Sequence, residues 1–298
     1  MQRAPALALA TLLALAGSAF PASSYDLVED LPYSTAHPDL LFDWYRPAGP
    51  GPHPAAVFVH GAFLAGGGKA DVRTAEPNVL LLDMLLAHGV TVFSIDVRPF
   101  PEFIHPAQLE DAGVAIQFLR HHAAQHAIDP NRLAVWGQSG GAVICGWLSY
   151  GADLAAASGT PQSQVSTRPQ AFVNSVGLSD WQLLHPGLPG WMFGKATLGE
   201  VDAGLLKAAS FAQNVLDVPR TSTPPVASLF PGPVGTPPLL DVHDTLMMKV
   251  LHANLASGFP AVAAQSRELT RVEHPTEGTR QELVAEWLLD LFGLPSDV

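Results

Sequence analysis

The sequence predicts an α/β domain, a mostly parallel central sheet with helices on both faces. Three observations carry this expectation. A short, continuous apolar run at residues 55–59 reads as a strand covered on both faces, and residues 90–97 and 171–176 read as further strands. Between two of them, Leu109, Ala112, Ile116, Leu119 and Ala123 recur at three- and four-residue intervals, the spacing of one helix face. Strands alternating with helices of this length imply parallel pairing through helical crossovers. With 298 residues, 48% of them hydrophobic, the chain can build one sizeable core.

The elements follow in order. Arg3, an apolar stretch over 4–16 and the small residues Gly17-Ser18-Ala19 have the three-part form of a secretory signal cut after Ala19. This divides the chain into a signal at 1–19 and one domain at 20–298, secreted or periplasmic. The apolar stretch is short for a membrane span, so no stable membrane insertion is expected once the signal is removed. Residues 40–47 read as an early strand and 48–54 as a Gly/Pro turn. The strand at 55–59 ends in His60-Gly61-Ala62-Phe63, and a Gly-rich loop follows at 66–68. Asn78 is placed to cap a helix through Leu86 that Gly89 ends. A strand at 90–97 and a helix at 108–126 come next. Asp129-Pro130-Asn131 reads as a turn, then comes the strand ending near Gln138, and a helix over 142–150. Residues 179–236, with Trp181, Trp191, Phe193 and a Pro-rich tract, break the rhythm and read as an insertion. Residues 237–242 return to the sheet. A strand at 268–272 precedes a closing helix, with Thr279 and Glu282 as a capping box and Leu283, Trp287, Leu288 and Leu291 as its apolar face.

Composition excludes several classes. The formal net charge is −12 and no block of Lys or Arg occurs, which argues against nucleic acid and anionic membranes as partners. Cys145 is the single cysteine, so no intramolecular disulfide can form, and it reads as a small buried hydrophobe. His122 and His126 have metal-ligand spacing, but they lack a carboxylate partner and read as the solvated end of a helix. Gly66-Gly67-Gly68-Lys69 fails as a phosphate loop, because Phe63 holds the first Gly position and Ala70 replaces the metal-binding hydroxyl. No metal or cofactor is expected. Asp96 and Arg98 read as a structural ion pair or loop anchor.

The chemistry-bearing motif is Gly137-Gln138-Ser139-Gly140-Gly141, delivered by the apolar run 133–136. A serine at a sharp strand-to-helix turn projects its Oγ from the backbone, and glycines two residues either side relieve the crowding. The helix start leaves the Gly140 N–H without an intrahelical partner, suited to holding an oxyanion. Acyl transfer by such a serine needs a base and an acid beyond the ends of other strands. Candidates occur in the order Ser, Asp, His.

Taken together, His60-Gly61-Ala62-Phe63, Phe42 to Pro47, Ser94 to Arg98 and Gly137 to Gly141 resemble the α/β-hydrolase fold, in its esterase branch with an HGGG-type oxyanion loop. The resemblance is good over residues 40–150 and partial beyond. It implies hydrolysis of a small-molecule carboxylic ester through Ser139 without a cofactor, with oxyanion donors at Ala62 or Phe63 and at Gly140. Ala62 and Phe63 stand where the family has glycines. Phe63, Gln138 and Trp181 are the expected substrate contacts. His274, after a strand and before the last helix, is the expected base, ahead of His185, His243 and His252. His60 belongs to the oxyanion loop and supports it structurally. Asp244 is the expected acid, with Asp241 and Asp180 as alternatives, because the family's His-Gly-x-x-Asp spacing is absent. A catalytically degenerate binding protein and a serine acyltransferase or peptidase of the same fold are the other readings.

Overall fold

The computed structural model describes residues 24–61, 66–217, 222–230, 239, 245–270 and 277–296. The expected signal segment therefore lies outside the described residues. So do Ala62, Phe63, Asp241, His243, Asp244 and His274.

The strands are β1 (Tyr25–Pro32), β2 (Leu41–Pro47), β3 (His53–Val59), β4 (Thr91–Ile95), β5 (Ile128–Gln138), β6 (Ala171–Ser175), β7 (Val226–Phe230) and β8 (Arg267–Thr270). They form one sheet of order β1-β2-β4-β3-β5-β6-β7-β8. β2 is antiparallel to both of its neighbours, and every pairing from β4 through β3 to β8 is parallel. The helices are α1 (Asp71–Thr74), α2 (Asn78–Ala87), α3 (Ala107–His121), α4 (Gly140–Tyr150), α5 (Ala203–Ala209), α6 (Phe211–Asp217), α7 (Thr245–Gly258), α8 (Pro260–Ala263) and α9 (Glu277–Phe292).

Strand side chains alternate between two cores, as a period of two requires. Val57, Val135 and Phe172 face Ile116 of α3, Ile144 of α4, Phe211 of α6 and Leu251 of α7. Phe58, Trp136 and Val173 face Leu81 and Leu85 of α2 and Leu288 of α9. Because both faces are covered, the central strands are buried on both sides, which is why residues 55–59 of β3 read as an unbroken apolar run.

Several boundaries differ from the sequence reading. α3 ends at His121 rather than continuing to 126. His126 is buried, not solvated; its ring packs edge-on to Trp44 at 4.8 Å and against Phe42, Phe93 and Phe118. This aromatic packing accounts for its burial. Residues Asp129-Pro130-Asn131 belong to β5 rather than to a separate turn. Asn78 is the first residue of α2 and does not cap it. α9 begins at Glu277, ahead of the expected capping box. β7 falls inside the stretch 179–236 that reads as an insertion, so the sheet resumes by Val226, while the expected strand at 237–242 lies, apart from Leu239, outside the described residues. Cys145 is fully buried, as expected, and burial pushes its thiol far above the usual range.

α4 is buried along its whole length, so water cannot satisfy its last carbonyls. Arg168 does so instead. Its guanidinium donates to Leu148 O (2.9 Å), Ser149 O (2.6 Å) and Gly151 O (2.7 Å), and its cation sits at the negative end of the helix. Arg168→Met should cost about 3 kcal/mol, since two buried carbonyls and a half-buried one lose a charged donor at once. Thermal unfolding followed by circular dichroism checks this, and an unchanged Tm would contradict the assignment.

Candidate active site

β5 hands the chain to α4 through a single residue, Ser139. Its backbone lies at φ 49°, ψ −114°, a left-handed φ that side-chain-bearing residues adopt only under constraint. The constraints are visible. The Ser139 N–H donates to Ser175 O of β6 (2.8 Å), and Ser139 O accepts from the N–H groups of Ala142 (3.0 Å) and Val143 (3.2 Å). A Cβ at Gly137 would overlap the backbone of Gly141 and Ala142, and one at Gly141 would overlap the carbonyls of Val59 and His60. The two glycines thus let α4 start immediately against β5 and β3. Ser139 is half-buried at the C-terminal edge of the parallel strands, with the N-terminus of α4 directly behind it. The first N–H groups of that helix, beginning with Gly140, have no intrahelical acceptor and carry the positive end of its dipole.

His60 and Gly61 leave β3 against this elbow. A Cβ on Gly61 would stand 3.2 Å from Gln138 O and 3.4 Å from Ser139 Cβ, so the loop starts in contact with the serine. His60 is buried; burial lowers its pKa, while Asp96 and Asp71 push the other way. Gln138 lies beside Ser139 and accepts from Asn78 Nδ2 of α2 (3.0 Å). Asn78 is buried and its amide also donates to Asp71 O (3.3 Å). It braces the elbow from below, a role hidden behind its resemblance to a helix cap.

The remaining candidate residues are distributed as follows. Trp181 is buried at 4% exposure, edge-on to Phe193 at 5.0 Å, and packs within the segment after β6. Asp180 is 2% exposed and its carboxylate accepts from Gln182 N (3.0 Å) and Gln213 Nε2 (2.5 Å), so both oxygens serve the local scaffold. His185 is exposed and accepts from Gly187 N. His252 is buried in the α7 interface and bonds Ser228 Oγ at 3.0 Å; burial lowers its pKa to about 4. In chain order Asp244 immediately precedes α7, in the connection that begins after β7, and His274 lies between β8 and α9. Asp96 and Arg98 act as anchors with separate partners. Arg98 binds Asp111 through Nε and Nη2 (2.9 and 2.8 Å), and Asp96 Oδ1 accepts from Lys69 N (2.7 Å).

Lys69, which in the sequence only closes a failed phosphate loop, has a larger part in the structure. Its Nζ lies 2.8 Å from Asp30, 3.2 Å from Asp43 and 3.9 Å from Asp96. Beside it opens a cavity of about 380 Å³ walled by Asp39, His60, Gly68, Lys69, Asp96 and Pro99. Among the described residues, no group of three or more His, Cys, Asp or Glu could hold a metal ion, and no helix is long and apolar enough to cross a membrane.

The sequence profile of the BD-FAE family matches residues 42–196, from β2 through the elbow and into the segment after β6. The chain belongs to the BD-FAE family. The family match therefore contains Ser139 and the His60-Gly61 loop, and stops before Asp244 and His274. Over 109 residues this BD-FAE chain is 38% identical to the carboxylic ester hydrolase LipN of Mycobacterium tuberculosis, covering 34% of this chain and 27% of LipN. The chain spans between about a fifth and two fifths of the length of the curated relatives it matches. Among solved structures, a truncated carbohydrate esterase from gut microbiota superposes with TM-score 0.69 at 16% identity, over 91% of this chain and 97% of that one. The acetyl ester-xyloside bifunctional hydrolase of Caldicellulosiruptor lactoaceticus gives TM-score 0.64 at 19% identity, over 93% and 98%. The fold of this BD-FAE member is the α/β-hydrolase fold.

Proposed function

We propose that the protein is a secreted serine hydrolase that cleaves carboxylic esters through an acyl-enzyme on Ser139. The observation that carries this reading is the strained Ser139 backbone at φ 49°, held between two glycines at the junction of β5 and α4. Such strain persists only where the surrounding structure enforces it. Ser139 stands at the sheet edge, directly before the first amides of a buried helix.

In this mechanism Ser139 Oγ attacks the ester carbonyl carbon while His274 takes its proton. The carbonyl oxygen becomes an oxyanion, held by the N–H of Gly140 and by donors at Ala62 or Phe63. Asp244 orients His274 and stabilises its imidazolium. The tetrahedral intermediate collapses, the alkoxide leaves with the proton from His274, and the acyl group stays on Ser139. Water, deprotonated by His274, then attacks the acyl-enzyme and releases the acid. The ester-hydrolase character of LipN and of the two structural neighbours supports ester substrates. The engagement of Asp180 with Gln182 and Gln213 favours Asp244 or Asp241 as the acid. The signal-like residues 1–19 support export.

The test is hydrolysis of a p-nitrophenyl ester series from acetate to laurate, with fluorophosphonate labelling located by peptide mass. Turnover with the label on Ser139 is the expected result, and the chain-length profile then sizes the acyl pocket. A folded protein that takes no label and hydrolyses neither an ester of the series nor an acetylated xyloside overturns the proposal.

A further inference from the structure

We propose that Lys69 is a positioning residue for the loop that leaves β3 at His60 and is tied down again at Lys69. This inference rests on the reading of Ser139 given above. The loop's start is fixed by contact, since Gly61 abuts Gln138 O and the Ser139 side chain. Its other end passes through Gly66, Gly67 and Gly68, with Gly67 at φ +73°. Glycines hold no conformation by themselves and lose the most freedom when ordered. On the proposed reading this loop supplies oxyanion donors, and an anchor after such a run then matters because donors must already be in place when charge develops.

Lys69 supplies that anchor at three points. Its N–H donates to Asp96 Oδ1 (2.7 Å), at the C-terminal end of β4. Its carbonyl accepts from Ser94 Oγ within β4 (2.6 Å). Its ammonium reaches Asp30 of β1 and Asp43 of β2, at 2.8 and 3.2 Å. One residue therefore pins the end of the loop to β1, β2 and β4. Asp43 is fully buried, and its Oδ1 also accepts the Asp30 N–H (3.1 Å). Burial works against the Lys69 charge, but its bonds to Asp30 and Asp43 outweigh this and raise its pKa, so the clamp stays charged across neutral pH. A surface lysine with one partner would be worth little. Here the cation neutralises a carboxylate that water does not reach.

The experiment compares the parent protein with Lys69→Met and with the double variant Lys69→Met/Asp43→Asn. The double variant removes the carboxylate that the single change would leave buried and unpaired, so it separates folding from positioning. Three readouts are taken: kcat and KM for p-nitrophenyl acetate, and inhibition by an aryl trifluoromethyl ketone, whose adduct on a serine is tetrahedral. The expected result in the double variant is a fall in kcat of roughly 10- to 100-fold, KM within about threefold, and inhibitor affinity weakened by a factor similar to that in kcat. An unchanged kcat, or a lower kcat with undiminished inhibitor affinity, overturns the inference. A parent protein that hydrolyses no ester and takes no fluorophosphonate overturns the reading of Ser139 instead, and this inference with it.

Discussion

Ser139→Ala will lower ester turnover by roughly 10⁴-fold or more while leaving the fold and its melting temperature unchanged. Only the attacking oxygen is removed. The backbone bonds that fix the elbow, from Ser139 N to Ser175 O and into Ser139 O from Ala142 and Val143, do not use the side chain. Ser139→Gly goes further in an informative direction. Glycine adopts positive φ without a Cβ penalty, so this inactive variant should be more stable than the parent by about 1 kcal/mol. Stability measured by urea unfolding, beside initial rates on p-nitrophenyl acetate, checks both halves. Full activity in the alanine variant would dismiss Ser139 as nucleophile. A glycine variant less stable than the parent would mean that the φ of 49° carries no strain.

Gly141→Ala is the second large effect, and it should destroy stability and activity together. The added methyl would overlap the carbonyl oxygens of Val59 and His60. Val59 ends β3, which is paired on either side with β4 and β5 in the middle of the sheet, and His60 follows it directly. Neither can yield as the tip of a flexible side chain would, so α4 or the strand end must shift. We expect a loss of about 3 kcal/mol or more, and a displaced His60-Gly61 that no longer meets Ser139. Gly66→Ala is the contrast, because a methyl there would have nothing within 4 Å of it, and the variant should unfold at the parent's urea midpoint. Equal midpoints for Gly141→Ala and the parent would show that the close approach of α4 to β3 is not required.

What is legible in the sequence follows from physical rules with short range. The run 133–138 and the glycines around Ser139 stand out because a covered strand must be apolar and a tight elbow must lack Cβ atoms. The same holds for β3, β4 and β6, each lying within about two residues of its expected bounds. His126 reads wrongly because its partners, Trp44, Phe42 and Phe93, come from β2 and β4, far away in the chain. β7 is hidden because its five residues follow Pro224 and Pro225 inside the Pro-rich stretch that reads as an insertion. Lys69 escapes notice because a single lysine after glycines carries no pattern. Its meaning arises only when β1, β2 and β4 bring Asp30, Asp43 and Asp96 around it. Asn78 looks like a cap because that is the commoner use of an asparagine at a helix start.

All eleven residues of α4 are buried, and Ser139 hangs on its first turn. A segment with no face toward water has no partial opening available to it. Its amides can exchange with solvent only through an excursion that dismantles the sheet on one side and α3 and α6 on the other. Ser139 is thereby carried by one of the least yielding parts of the molecule. Under the proposed function, adaptation to different ester shapes then falls to connections farther from the elbow, such as the long segment between β6 and β7.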